Sequence, residues 1–207
     1  MSGGRPSGLL LAGVGLFGAG LTALAVWLAA TSTHLNAVIV NAALGAFVGA
    51  SFIGVGLYTW RTRPAERQGL LMVGIGIAWF LGSLSISNDD VVATFGMYVG
   101  ALYVLLVVQL VVEFPDGVVE PAARWLIALG YVTVFVVRLP MLMFQRDMFE
   151  GRCEGDCPTS AFYVADHPGL ADLSLALSLI LGLVVLGGIA VVLRRRERGE
   201  PPAVRRA

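Results

Sequence analysis

Residues Ala171–Ala207 read ADLSLALSLILGLVVLGGIAVVLRRRERGEPPAVRRA, a long apolar run closed by a cluster of arginines. From Ala171 to Leu193 the run covers 23 residues, with Asp172 at its start as its only charge. A helix rises about 1.5 Å per residue, so about 20 such residues cross the hydrocarbon core of a bilayer. Working outward, the same pattern recurs at Leu9–Ala30, Ala37–Trp60, Gly69–Ser87, Val91–Phe114 and Trp125–Phe144. Six runs of this kind predict an all-α polytopic membrane protein, a six-transmembrane-helix bundle with short loops.

The arginines orient that bundle. Arg5, Arg61, Arg63, Arg67, Arg124, Arg194, Arg195, Arg196, Arg198, Arg205 and Arg206 all fall in alternate gaps or at the ends. The opposite gaps hold only Arg146 and Arg152, and Arg138 is inside the fifth run. Basic residues are retained on the cytoplasmic side, which predicts both termini inside. The gaps at His34, at Asn88–Asp90 and across Gln145–Leu170 then face outward, and Arg194–Ala207 is a cytoplasmic tail. All basic residues are Arg, with no Lys, in a chain rich in Ala, Gly and Val. That usage suggests a GC-rich bacterial genome, and hence the plasma membrane of a bacterium.

Composition excludes a water-soluble domain: 57% of residues are hydrophobic, 14% are charged, and mean hydropathy is +0.81. No hydrophilic stretch is long enough for a catalytic domain, and the Arg- and Pro-rich tail is too short to fold alone. The chain carries no phosphate-binding loop, no HExxH and no Gly-x-Ser-x-Gly elbow. The expectation is a chain with no catalysis of its own, no cofactor and no nucleic-acid partner. The first run exceeds the usual ~7–15 apolar residues of a cleaved secretory signal, so it reads as a retained helix.

Polar residues inside the runs are the candidate site. Arg138 lies six positions before Phe144, about 9 Å from the outer end of its helix at helical rise. Pro140 should bend that helix and free a nearby carbonyl. Either Arg138 snorkels to the headgroups, or it pairs with Asp172, Asp89 or Asp90 at the mouth of a pocket. Gln109 and Glu113 share a helix face, and Glu113 reads as solvated or paired with Arg61, Arg63 or Arg67. Asn41 reads as an interhelical hydrogen bonder. Trp60, Trp79, Trp125, Tyr58 and Tyr163 read as interfacial anchors.

Gly45/Gly49 and Gly96/Gly100 form GxxxG pairs, suited to close packing within the bundle or, alternatively, to a homodimer seam. Pro64 and the Pro115-Asp116-Gly117 turn end their helices and keep the inner loops short. Cys153 and Cys157 are the only cysteines and fall in the outer loop. They form a disulfide, remain free thiols, or contribute to a metal or redox site with Asp156, Asp166 and His167.

Three segments carry a resemblance. Trp60-Arg-Thr-Arg-Pro-Ala-Glu-Arg-Gln-Gly69 runs into Gly76-Ile-Ala-Trp-Phe-Leu81; Glu113-Phe-Pro-Asp-Gly117 closes the fourth run; Leu139-Pro140 precedes Cys153-Glu-Gly-Asp-Cys-Pro158. In order and spacing these resemble the N-terminal membrane region of actinobacterial-type sensor histidine kinases. Val118 and Val119 stand where that family often has a basic residue, and Thr159 is near an expected Asn. The family also continues into further helices, a phosphoacceptor His and an ATP-binding domain.

The resemblance implies a sensory or regulatory membrane module of two-component signalling, with the bilayer, a kinase or response regulator, or a second copy as partners. Kinase activity would belong only to a longer chain of which this is a fragment. The alternatives are a small transporter or channel subunit, and a structural membrane partner.

Overall fold

Runs of Leu, Val, Ala and Gly without interior charge leave the backbone to satisfy its own hydrogen bonds, and a helix does so within one segment. The computed structural model describes residues 6–34, 37–64, 67–114, 120–147 and 157–199, which are all-helical apart from one antiparallel bridge, Asp147–Thr159. The helices are α1 (Gly8–Thr31), α2 (Val38–Thr62), α3 (Gln68–Ser83), α4 (Asp90–Val99), α5 (Leu102–Glu113), α6 (Pro121–Val132), α7 (Leu139–Phe144) and α8 (Pro168–Gly199). A 3₁₀ turn, Leu84–Ile86, extends α3, and a π-helical segment, Thr133–Val137, joins α6 to α7. Six stretches are thus long and apolar enough to cross a membrane, with Asp90–Glu113 and Pro121–Phe144 each built from two helices.

Three boundaries differ from the sequence expectation. The fourth run is interrupted at Gly100–Ala101 instead of being one rod. The third finishes in the tighter 3₁₀ turn. The sixth runs from Pro168 to Gly199, so the first arginines expected in a free tail are helical. Long Arg side chains are good helix formers, and cations suit the negative end of a helix dipole.

Consecutive spans alternate in direction. At one end the Asn88 amide receives the Thr33 N–H at 3.0 Å and donates to the Thr31 carbonyl at 2.8 Å, tying α1 to the turn before α4. This loop end also carries Asp89, whose carboxylate caps α4 by accepting the Val92 N–H at 2.9 Å. At the opposite, arginine-rich end, the end of α2 meets the start of α3, where Gly69 lies on the Trp60 backbone.

Two larger buried clusters lie among the described residues, beside a small one of Ala93 and Leu142 between α4 and α7. Ala25, Ile53 and Phe80 centre α1–α2–α3; Val112, Ala123, Val185 and Ile189 centre α5–α6–α8. α3 against α4 and α5 joins them. One close seam is glycine on glycine: Gly49 and Gly56 of α2 face Gly76 and Gly69 of α3, each pair seven residues apart. A Cβ on Gly56 would sit 2.7 Å from the Val73 nitrogen, and one on Gly76 would sit 2.8 Å from the Gly49 carbonyl oxygen. Two-turn spacing keeps these positions on one helix face. The expected GxxxG pairs are also used inside the bundle: Gly49 receives the Phe80 ring, and Gly96 lies on the Leu84–Ser85 backbone. Gly45 has open space beside it.

The outer surface is apolar. Leu9 is 88% exposed, Ile39 84% and Trp125 78%, and large hydrophobics face outward along five of the spans, with only Leu70 doing so on the third.

Candidate functional site

Pro140 has no N–H, and its ring would collide with the carbonyl one turn earlier. The helix answers upstream by widening into the π-helical Thr133–Val137, with the Arg138 N–H reaching back to Thr133 at 3.1 Å. It restarts as α7, with Pro140 in the first turn, where a missing donor is harmless. Hydroxyls from neighbouring helices take the displaced carbonyls. Tyr98 of α4 donates to Phe135 at 3.0 Å, and Ser174 of α8 donates to Val137 at 2.6 Å. The helix expected to bend at Pro140 is interrupted there by the π-helical segment, and two hydroxyls meet the carbonyls of Phe135 and Val137 beside it.

Across from it, α4 gives way to α5 at Gly100–Ala101, where Gly100 closely approaches Gly82 of α3. Two interrupted spans thus face each other, and Arg138 lies between them. Its guanidinium is half-buried and directed at the Met97 sulfur, 3.9 Å away, a weak acceptor. Arg138, Ala101 and Val104 border two grooves at once. The first groove, about 640 Å³, lies between α2, α3 and α4–α5, with Asn41, Trp79, Ser83, Ser85 and Tyr103 on its walls. The second, about 340 Å³, lies between α5, the π-helical segment and α8, walled by Leu105, Val108, Val134, Leu179 and Val185.

Most polar groups on the first groove are already committed. The Trp79 Nε1–H donates to the Gly45 carbonyl at 3.0 Å, and the ring meets Tyr103 edge-on at 4.9 Å. Ser83 donates to the Phe80 carbonyl at 2.7 Å. Trp79 is therefore a packing residue, not the interfacial anchor expected from sequence; it lies within α3 and finds its acceptor in α2. Trp125 and Tyr58 remain outward-facing near helix ends.

The other sequence candidates separate. Among the described residues, Arg138 is not brought to Asp172, Asp89 or Asp90, which removes the pairing that was one of its two expected roles. Asp89 caps α4, Asp90 receives the Thr159 N–H and hydroxyl at 2.8 and 3.0 Å, and Asp172 is exposed on α8. Asn41 donates within its own helix, to Ala37 at 3.4 Å, at the rim of the first groove. Glu113 is 5% exposed and accepts the Gln109 amide at 2.8 Å, so its carboxylate is buried and not solvated, the first of the two states expected for it. The arginine that comes to this helix end is Arg196, donating to the carbonyls of Val112 at 3.3 Å and Phe114 at 3.1 Å. It satisfies two of the carbonyls left open at the C-terminal end of α5.

At the loop end, Thr94 is fully buried, donates to the Asp90 carbonyl at 2.6 Å and accepts the Ala161 N–H at 2.8 Å. Ser160 bonds the Leu142 carbonyl, and the Val164 N–H meets Met143 at 2.9 Å. Residues 159–164 are thereby laid over α4 and α7. Replacing Thr94 with valine removes the acceptor for Ala161 at a cost of about 1 kcal/mol. Amide hydrogen exchange at Ala161 should accelerate about fivefold or more at that cost; unchanged exchange would show that the loop is held elsewhere.

Cys153, Asp156, Pro115, Asp116 and Gly117 lie outside the described residues. Cys157 is not a free thiol, while Pro64 occupies the turn between α2 and α3. His167 packs its ring edge-on against Phe144 at 5.7 Å, and no group of three or more His, Cys, Asp or Glu gathers among the described residues. Tyr98 and Ser174 escaped the sequence reading. The signal available was a hydroxyl inside an apolar run, opposite a run broken by proline.

No family model, curated protein or solved structure matches this chain.

Proposed function

We propose that the chain is a non-catalytic sensory or regulatory module of a bacterial plasma membrane, threaded six times with both termini cytoplasmic. The apolar outward faces are what lipid would surround, and the arginine-rich end suits the cytoplasmic side. One observation carries the sensory part: a half-buried cation shared by two grooves where two interrupted spans face each other. A ligand in the grooves would act as a stimulus by favouring a second packing of these interrupted spans over the one observed.

α5 supplies the route. Its first turns line both grooves, and its last carbonyls are held by Arg196 at the arginine-rich end of α8. A shift at Val104 therefore bears on the segment that leaves the membrane. A kinase or response regulator would read it there, and the Cys153–Cys157 disulfide would staple the outer loop. Alkylation of both thiols in unreduced protein would remove that staple from the scheme.

The test fills the groove. Val104→Trp in lipid nanodiscs should change amide exchange over residues 110–114 by about threefold or more, the mark of a shift near RT. Identical exchange in wild type and variant would sink the coupling. Reporter fusions should place both termini in the cytoplasm and the 145–170 loop outside. A transporter subunit is the second reading, because interrupted helices also line transport sites; liposome flux of a substrate would favour it.

A further inference from the structure

We infer that the two grooves together hold one anionic lipid of the outer leaflet, its headgroup oxyanion on Arg138 and an acyl chain along α5 and α8. The inference rests on the membrane-embedded reading above and names the ligand class of that site. A guanidinium set about 9 Å below the end of its helix sits at a costly depth unless an anion meets it. The described chain offers it a thioether, and no Asp or Glu lines either groove. An arginine fork matches the oxygens of a phosphate or carboxylate in a bidentate arrangement.

The polarity of the grooves runs as a lipid does. The groove with Asn41, Ser85 and Tyr103 on its walls lies toward the loop end, and the apolar groove continues from Arg138 along α5 and α8. Trp79 and Ser83 have spent their donors on backbone carbonyls, which leaves the guanidinium as the group that draws an anion. The edges are open sideways: Leu44, Val104, Leu179 and Leu186 are all exposed, so a chain can enter from the surrounding lipid. A free inorganic anion would use Arg138 but leave the apolar groove unfilled.

The experiment is native mass spectrometry of the full chain released from nanodiscs of equal phosphatidylcholine and phosphatidylglycerol. Wild type should retain one phosphatidylglycerol. Arg138→Gln should reduce that retention about tenfold or more, as loss of a charge-assisted hydrogen bond implies, while Arg138→Lys keeps part of it. Asp172→Asn should change nothing. Helical content by circular dichroism verifies that each variant is folded. Should Arg138→Gln fail to fold, Val104→Trp, which keeps the charge but blocks the groove, should abolish retention on its own.

Equal retention of the two lipids, or full retention by Arg138→Gln or by a folded Val104→Trp, overturns the proposal. So does displacement of the lipid by millimolar inorganic phosphate, which would make the site one for a free anion. Retention as expected, together with unchanged exchange at residues 110–114, would leave the lipid site standing and remove only the sensory reading.

Discussion

Gly56→Leu should lower the apparent melting temperature of the detergent-solubilised chain by about 5–10 °C, or prevent folding. The Gly56 face of α2 meets backbone, not side chain: a Cβ there would lie 2.7 Å from the Val73 nitrogen and 2.9 Å from the Gly69 carbonyl oxygen. Backbone cannot rotate aside as a flexible side chain can, so the helices must part along the whole seam. Inserting carbons into a packed interior costs about 1–3 kcal/mol, and the shared seam puts this site at the top of that range. Gly54→Leu is the control, because its Cβ meets open space on the same helix. Equal destabilisation by the two variants, read by fluorescence-detected gel filtration after heating, would show that helix propensity and not the seam governs the effect.

Ser174→Ala should cost about 1–2 kcal/mol, because it strands the Val137 carbonyl in an apolar interior. The serine is 6% exposed, and its hydroxyl lies 2.6 Å from that carbonyl. Tyr98→Phe removes the partner of Phe135 in the same way. Both hydroxyls support one π-helical segment, so their effects should not add. Once one is lost, the segment relaxes toward ordinary helix and the second matters less. A double-mutant cycle on thermal unfolding reads this directly. Strict additivity would mean that the π-helical segment persists without either hydroxyl and is imposed by Pro140 alone.

The six spans were legible because bilayer thickness sets a length, and an apolar run of that length is visible residue by residue. Arg138 and Pro140 were legible for a related reason: each violates the pattern of its own run. The break at Gly100–Ala101 was not, since Gly and Ala occur throughout the other helices without interrupting them. Nor was the choice between snorkelling of Arg138 and its pairing with Asp89, Asp90 or Asp172. The sequence puts those carboxylates at the same end of the bundle as Arg138, and only the three-dimensional arrangement commits Asp89 to the α4 cap and Asp90 to Thr159. Glu113 misled for the opposite reason. A carboxylate at a helix end reads as solvated, yet it is buried with Gln109 while Arg196 closes the end of α5.

By itself the sequence determined the helical class, the number and approximate limits of the spans, and which end gathers the arginines. These are one-dimensional properties of run length and charge placement. Tertiary structure alone decided which glycines touch, where the helices give way, and what surrounds Arg138. Those depend on which faces of separate helices meet, and between helices in an apolar solvent that choice rests on shape and on single hydrogen bonds.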